Sequence, residues 1–231
     1  MISKGVLGRA ATIAVHVGLF AGFGACNYLV AGWLAAARSA EPPTCLGQRS
    51  ASRHVVYLHG LDSYAPSWQE LDNRRALAAI PDAAIAMPRA PACGGGRCWS
   101  DADDGVRETI DAIRDAARTC FDDHTSYGVI GFSRGGFALA RLASCDAIGA
   151  RWAIVASAFG YTEELRLRDC PVAIVVGRHD RYHHDGAVGY AQRRRMAGIP
   201  GTLFEFYGGH RLDAESLASA ISVLEQSARA R

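Results

Sequence analysis

The chain has 231 residues, of which 49% are hydrophobic and 21% charged, and its net charge at neutral pH is +2. This length and composition are typical of a folded protein with one sizeable core and exclude a disordered polypeptide. Residues 1–40 hold three basic and no acidic side chains, so residues 41–231 carry 22 basic against 23 acidic ones, a balance of −1. The charge therefore offers no basic surface for nucleic acid.

The N-terminal segment predicts export from the cytoplasm. Lys4 and Arg9 precede a run of 28 residues, Ala10 to Ala37, that contains no Asp, Glu, Lys or Arg. Such a run exceeds the roughly 7–15 apolar residues of a secretory signal and suffices for the about 20 of a membrane span. Positive charges before the run stay in the cytoplasm, which places residues 41–231 outside. A cleaved signal peptide, an uncleaved anchor that tethers the chain to the membrane and a lipoprotein attached at Cys26 remain open.

After a predicted linker at residues 41–52, short apolar runs alternate with helical patterns. The runs are continuous rather than alternating, which is typical of strands covered on both faces by helices. We therefore predict one α/β domain over residues 53–231, with a mostly parallel central sheet and helices on both faces. The predicted strands are 53–60, 83–88, 126–133, 152–159, 171–177 and 201–208, and the predicted helices are 67–80, 102–121, 135–147, 187–197 and 213–229.

Cysteine usage agrees with an oxidising compartment. Six cysteines lie beyond Cys26, and an even number in an exported chain favours disulfides, for which fifteen connectivities exist. We predict the local pair Cys93–Cys98, because the three glycines of CGGGRC let a short loop close. A zinc site would need a second ligand pair nearby, and no other cysteines have that spacing. The six are Cys45, Cys93, Cys98, Cys120, Cys145 and Cys170.

The stretch GVIGFSRGG, residues 128–136, predicts a nucleophilic serine. Ser133 stands between Gly131 and Gly135 where a strand turns into a helix, a turn that lifts one side chain above the sheet and needs small flanking residues. The hydroxyl also needs a base and donors for an oxyanion, and we expect the Arg134 N–H to be one donor. The alternative is a plain tight turn whose serine caps the helix.

The motif YLHGLDS, residues 57–63, ends the first predicted strand. Gly60 lets the backbone approach the serine closely, and the N–H of Leu61 is then the second expected oxyanion donor. We interpret His59 as a structural residue that orients this loop.

The motif VVGRHDRYHHD, residues 175–185, ends a later strand. Asp180 lies just past the strand end, where a carboxylate is expected to orient an imidazole, and Asp185 is the less favoured substitute. The cluster of His and Asp residues also suggests a metal site, but such residues are ordinary in a polar surface loop. We therefore predict no metal and no cofactor.

The motif FYGGHRLD, residues 206–213, follows the last apolar run. The glycine pair lets a long loop carry His210 back over the serine. Ser133, Asp180 and His210 thus follow one another in the order of a Ser-His-Asp triad on an α/β-hydrolase sheet, each at the end of its own predicted strand.

These four motifs resemble the α/β-hydrolase superfamily over residues 53–229. They most resemble its small lidless esterases: the phospholipase/carboxylesterase group, dienelactone-hydrolase-like enzymes and polyhydroxyalkanoate-depolymerase-type esterases. The export segment and the cysteines depart from cytoplasmic esterases and argue against an intracellular thioesterase. The roles that the resemblance implies are nucleophile for Ser133, general base and acid for His210, orienting acid for Asp180, and oxyanion donors for the N–H groups of Leu61 and Arg134.

The expected function is an exported serine hydrolase that cleaves a small-molecule or polymer ester. Trp99 and Tyr64 are candidates for lining a substrate groove, although Trp99 has the alternative role of packing its own loop. A non-catalytic envelope or binding protein on the same scaffold, an acyltransferase with the same triad and a peptidase remain open. The ester itself and the oligomeric state are not determined by the sequence.

Overall fold

Strands and helices alternate through the part of the chain that the computed structural model describes: residues 41–63, 67–93, 96–100, 105–122, 125–142, 144–159, 166–167 and 169–230. The strands are β1 (Thr44–Leu46), β2 (Arg53–Leu58), β3 (Asp62–Ser63), β4 (Ala83–Met87), β5 (Ala92–Cys93), β6 (Gly96–Arg97), β7 (Tyr127–Phe132), β8 (Ala150–Ala156), β9 (Val172–Gly177) and β10 (Thr202–Phe206). The helices are α1 (Trp68–Ala78), α2 (Gly105–Cys120), α3 (Arg134–Arg141), α4 (His184–Met196) and α5 (Ala214–Arg229), with a 3-10 turn at Asp146–Ile148.

A seven-stranded sheet runs in the order β1-β4-β2-β7-β8-β9-β10. Every neighbouring pair is parallel except β1 with β4. The predicted class, a mostly parallel sheet with flanking helices, is confirmed. The short strands β3, β6 and β5 form a separate antiparallel sheet that the sequence analysis did not predict, because two-residue strands carry no hydrophobic period.

Each face of the sheet has its own apolar core. Val56 and Leu58 pack on the face covered by α2, α3 and α4, whereas Val55 and Tyr57 pack on the face covered by α1 and α5. This is the arrangement that the continuous apolar runs predicted, since both faces of each central strand are buried. The edge strand β10 differs: two of its five residues are exposed, because one side of it has no neighbouring strand.

The segment 41–52, predicted to be a linker, is in part a strand of the central sheet. Within it β1 pairs antiparallel with β4, Cys45 lying opposite Ala86, and the compact unit begins at Pro42. Three residues in a Pro-containing stretch are too few to show a strand pattern. The predicted helix 135–147 is also shorter: α3 ends at Arg141, because Leu142 takes an extended conformation with ψ 139°.

Three disulfides link the six cysteines of the described chain. The predicted local bridge Cys93–Cys98 is confirmed. The other two join separate elements: Cys45 of β1 is bonded to Cys120 at the end of α2, and Cys145 is bonded to Cys170 before β9.

The predicted export segment, residues 1–40, lies outside the described residues. Among the helices that are described, none combines the length and the apolar character needed to cross a bilayer.

Candidate active site

Ser133 has a strained backbone conformation at the junction of β7 and α3. Its φ of 51° and ψ of −118° lie outside the regions that residues with a side chain ordinarily adopt. Its N–H donates to the Ala156 carbonyl at 2.9 Å and its carbonyl accepts from the Phe137 N–H at 2.9 Å, so strand pairing and helix bonding meet at this residue. Its side chain makes no capping hydrogen bond to the first turn of α3. The capping alternative is therefore wrong.

The glycines around Ser133 are required by close backbone contacts. A Cβ on Gly131 would lie 2.5 Å from the carbonyl oxygen of Gly135, and a Cβ on Gly135 would lie 2.2 Å from the carbonyl oxygen of Leu58. Gly60 lies against the serine itself, since a Cβ there would be 3.1 Å from the Ser133 Cβ. The structure thus brings the loop after β2 directly beside the turn that carries Ser133.

His59 holds the loop after β2 in place, as predicted. Its Nδ1–H donates to the Gly60 carbonyl at 2.7 Å, and its Nε2 accepts from the Ala90 N–H at 3.1 Å. Because a backbone carbonyl only accepts and a backbone N–H only donates, these partners assign the ring proton to Nδ1. Trp99 is 1% exposed and donates from Nε1 to the His59 carbonyl at 3.0 Å, so it packs its loop and does not line a groove.

The two residues predicted to supply oxyanion donors each follow a residue of the turn region: Arg134 directly follows Ser133, and Leu61 directly follows Gly60, which lies against Ser133. Leu61 is 64% exposed. Arg134 is the first residue of α3, where backbone N–H groups have no carbonyl of their own helix to bond. Tyr64, the other predicted groove residue, lies outside the described residues.

Asp180 and His210 form a hydrogen-bonded pair. The His210 Nδ1–H donates to Asp180 Oδ2 at 2.8 Å, and Asp180 is 2% exposed. Since the carboxylate accepts, the proton of the neutral ring lies on Nδ1 and Nε2 keeps its lone pair. The alternative acid, Asp185, is 83% exposed at its side chain and pairs with His184 instead. The structure therefore brings Asp180 to the histidine, and not Asp185.

The Asp180 carboxyl remains ionised at neutral pH. Burial by itself would raise its pKa, but the hydrogen bond from His210 and the charge of that ring hold the pKa below its ordinary value, with smaller effects from His183 and the neighbouring Ser157 hydroxyl. Asp180 Oδ1 and Ser157 Oγ are both buried, and neither has a hydrogen bond of normal geometry within the described residues. Ser157 also has a positive φ, 47°, at the end of β8.

The loop that carries His210 passes closely over the end of β9. A Cβ on Gly177 would lie 2.4 Å from the carbonyl oxygens of Gly208 and Gly209. The His179 N–H donates to the Gly208 carbonyl at 2.8 Å, which ties the Asp180 loop and the His210 loop together. The glycine pair before His210 thus allows the close approach that the sequence analysis expected.

Helix α1 holds the same loop from the other side, a contact that the sequence analysis missed. The Gln69 side-chain amide donates to the His210 carbonyl, and Asn73 Oδ1 accepts from the Leu212 N–H at 2.8 Å. Both residues lie on a helix that is distant in sequence from the loop. No local pattern distinguishes them from other polar helix residues.

Asn73 belongs to a buried polar network on β2 and α1. Its amide donates to the Tyr57 hydroxyl at 3.4 Å, which in turn donates to Glu70 Oε2 at 3.0 Å. Burial raises the pKa of Tyr57 well above its ordinary value, and the Glu70 charge raises it further. The Tyr57 hydroxyl therefore keeps its proton, and the network is fixed with Glu70 also paired to Arg74 at 3.0 Å.

Two rings flank His210. The Phe132 ring, whose residue directly precedes Ser133, lies with its centroid 4.8 Å from that of His210. The His183 ring lies equally close, at 4.8 Å. His183 was not singled out from its sequence cluster. The one available signal was that His183 follows Asp180 by three residues, the spacing of a turn. In the structure the His183 N–H donates to the Asp180 carbonyl at 3.1 Å and closes that turn.

Comparison with known proteins gives a likeness in structure alone. No protein-family model matches the chain, and no curated protein matches its sequence. Among solved structures, a Bacillus cereus carboxylesterase is 17% identical, with a TM-score of 0.58 over 80% of this chain and 93% of that one. Zea mays acyl-protein thioesterase 2 is 15% identical, with a TM-score of 0.57 over 80% of this chain and 98% of that one.

A third solved structure is XC6422 from Xanthomonas campestris, described as an α/β serine hydrolase without a lid. It is 13% identical, with a TM-score of 0.57 over 80% of this chain and 94% of that one. These likenesses show that the chain adopts the α/β-hydrolase fold, as its motifs implied.

Proposed function

We propose that this protein is an exported serine hydrolase that cleaves carboxylic esters through Ser133, His210 and Asp180. The observation that carries the proposal is the 2.8 Å hydrogen bond between His210 Nδ1 and the buried carboxylate of Asp180. The His210 ring also packs on Phe132, the residue that precedes Ser133. A buried, ionised carboxylate that orients an imidazole toward a half-buried turn serine is the arrangement that activates a hydroxyl for acyl transfer.

The first half of the reaction transfers the acyl group to the serine. His210 Nε2 takes the Ser133 hydroxyl proton while Oγ attacks the ester carbonyl, and Asp180 stabilises the imidazolium that forms. The Leu61 and Arg134 N–H groups donate to the oxyanion of the tetrahedral intermediate. His210 then gives its proton to the departing alkoxide, which leaves as the alcohol, and an acyl-enzyme remains.

The second half returns the enzyme to its starting state. His210 takes a proton from water, and the resulting hydroxide attacks the acyl carbonyl. The tetrahedral intermediate collapses, the acid leaves, and the proton returns to Ser133 Oγ. An alcohol in place of water would make the same site an acyltransferase, so product analysis with an added alcohol distinguishes the two outcomes.

The names of the similar structures support an acyl substrate. They are described as a carboxylesterase, an acyl-protein thioesterase and a serine hydrolase without a lid. Within that range we propose an oxygen ester of a small molecule or polymer. The three disulfides support a site of action in an oxidising compartment, where an intracellular acyl-protein substrate is absent.

A fluorophosphonate label and a panel of p-nitrophenyl esters of graded chain length test the proposal. We expect one covalent adduct on Ser133 and ester turnover that Ser133→Ala abolishes. The matched control is Ser227→Ala, because Ser227 lies on α5 and its hydroxyl bonds only the Val223 carbonyl of its own helix among described residues. A wild-type protein that takes no label and hydrolyses no ester of the panel would favour the non-catalytic binding protein instead.

A further inference from the structure

Two histidines from different loops lie ring against ring beside the proposed site. The ring centroids of His183 and His210 are 4.8 Å apart, with the rings inclined by 31°. One donor atom from each, together with a carboxylate oxygen of Asp180, lie within 4.8 Å of one another. Two imidazoles and a carboxylate form the donor set of many catalytic zinc sites, and imidazole favours zinc and copper over calcium or magnesium.

His183 is held as metal-binding histidines usually are. Its Nδ1 lies 3.1 Å from the Phe159 carbonyl oxygen, which only accepts, so the ring proton lies on Nδ1. Nε2 therefore keeps the lone pair that a metal ion needs, in a ring whose orientation is fixed by a backbone carbonyl. The proposed ester hydrolysis assigns no role to this imidazole.

Asp180 has acceptor capacity that its bond to His210 does not use. Its Oδ1 is buried and has no hydrogen-bond partner of normal geometry among the described residues. The Ser157 hydroxyl lies beside this carboxylate, and because each carboxylate oxygen has two acceptor sites, capacity for a cation remains. A cation bound to the Asp180 carboxylate would lie beside both histidine rings.

We propose that Asp180, His183 and His210 bind one divalent transition-metal ion, with zinc as the reference ion. Donor atoms around tetrahedral zinc lie about 3.3 Å apart. The three donor atoms here lie within 4.8 Å of one another, so side-chain shifts on the order of 1 Å bring them to that spacing. Both histidines are half-buried and border solvent, which gives the ion a path and the rings room to move. The His210 nitrogen that faces Asp180 carries the ring proton, so an ion bound there releases that proton and takes the imidazole that acts as base. Zinc is then a reversible inhibitor of the proposed hydrolysis; this last step rests on the proposed function.

The other histidines of the same loop are committed elsewhere. His184 Nε2 lies 2.7 Å from Glu205 Oε1, and the exposed His179 ring packs on Tyr207 with centroids 4.5 Å apart. The second group of potential ligands within the described residues contains Cys145 and Cys170, whose sulfurs are bonded to each other. The structure thus selects His183 from three histidines that the sequence pattern did not distinguish.

Calorimetric titration of the purified full-length chain with Zn²⁺ tests the binding. We expect one ion per wild-type chain and an affinity at least about 10-fold weaker in His183→Asn. The asparagine amide retains a donor toward the Phe159 carbonyl but has no imidazole nitrogen. The matched control is His184→Gln, for which we expect the wild-type affinity. Equal affinity in His183→Asn and the wild type, or no binding at millimolar zinc, would overturn the inference.

X-ray absorption of the zinc-loaded wild-type protein gives a second measurement that needs no variant. We expect two imidazoles and at least one carboxylate oxygen around the ion, and an ion bound by fewer than two imidazoles contradicts the site.

The two proposals fail separately. Ser133→Ala removes the nucleophile but no proposed ligand, so we expect it to bind zinc as the wild type does. If the protein binds zinc through His183 but hydrolyses no ester, the metal site stands and the proposed function is wrong. If the protein hydrolyses esters but zinc neither binds nor inhibits it, the proposed function stands and the metal site is wrong.

Discussion

The Asn73 side chain, on helix α1, accepts a hydrogen bond from the Leu212 N–H at 2.8 Å. This bond joins a fully buried amide to the loop that carries His210, across 139 positions of sequence. The nitrogen of the same Asn73 amide donates to the Tyr57 hydroxyl on β2. The position of His210, the proposed base, therefore depends on the buried network of Asn73 and Tyr57.

Replacing Asn73 by leucine is expected to reduce both stability and turnover. The Leu212 N–H would lose its acceptor, and an unsatisfied buried donor costs about 1–3 kcal/mol in free energy of unfolding. The loop would also hold His210 less firmly, so kcat should fall. Urea unfolding and ester hydrolysis measure the two effects. The control Arg75→Ala removes an exposed pair on the same helix and should change neither. Lost stability with unchanged kcat would make Asn73 purely structural.

Ser157→Ala is expected to lower kcat with little change in KM. The hydroxyl lies beside the Asp180 carboxylate and helps to hold its pKa down, and a hydrogen bond to a charged group is worth about 1.5–3 kcal/mol. The loss in kcat is then at most roughly 10–100-fold. Steady-state kinetics with one p-nitrophenyl ester measures it. The control is Ser126→Ala, at the opposite end of β7, whose hydroxyl accepts from Arg151 at 3.3 Å. Equal kinetics in Ser157→Ala and wild type would remove Ser157 from the site.

The bridge Cys45–Cys120 is expected to stabilise the fold more than Cys93–Cys98 does. The first closes a separation of 75 residues and the second a separation of 5. In the chain-entropy model these loops correspond to about 4.5 and about 2 kcal/mol of stabilisation. Chemical unfolding of the two double Cys→Ser variants under oxidising conditions compares them. A larger loss in the variant without Cys93 and Cys98 would contradict the expected order.

Asp169 is expected to make stability depend on acid pH. Burial acts to raise its pKa, but hydrogen bonds from the Cys145 and Asp146 N–H groups, at 2.9 and 3.3 Å, lower it below the ordinary value of 3.8. A depressed folded-state pKa stabilises the protein above the ordinary value, and this contribution is lost as pH falls through the folded-state pKa. The side chain is largely exposed, so the effect is below about 1 kcal/mol.

Unfolding of Asp169→Asn at pH 7 and at successively lower pH measures this contribution. We expect the variant to be less stable than the wild type at pH 7 and the difference to vanish in acid. The control Asp115→Asn alters an exposed pair on α2, side chain 62% exposed, and should differ little from the wild type at any pH. A difference for Asp169→Asn that grows in acid would contradict the assigned sign.

Prediction from the sequence succeeded where a feature is local. The apolar runs located the central strands with every predicted end at most 3 residues from the observed one, because a strand buried on both faces needs apolar side chains at every position. The glycines around Ser133 indicated the sharp turn, because no other residue fits beside the Gly135 and Leu58 carbonyls. The strand β1 was missed because an edge strand of three residues carries no such requirement.

The sequence by itself determined the fold class, the turn at Ser133 and the chain order of the three proposed catalytic residues, since each follows from backbone sterics or from hydrophobic burial within a short segment. The tertiary structure decided which carboxylate meets His210, which histidine lies against its ring, and which cysteines pair. It also decided that Asn73 supports the loop from a distant helix. These are contacts between segments far apart in the chain, and they depend on the paths of loops that only the packing of the whole sheet fixes.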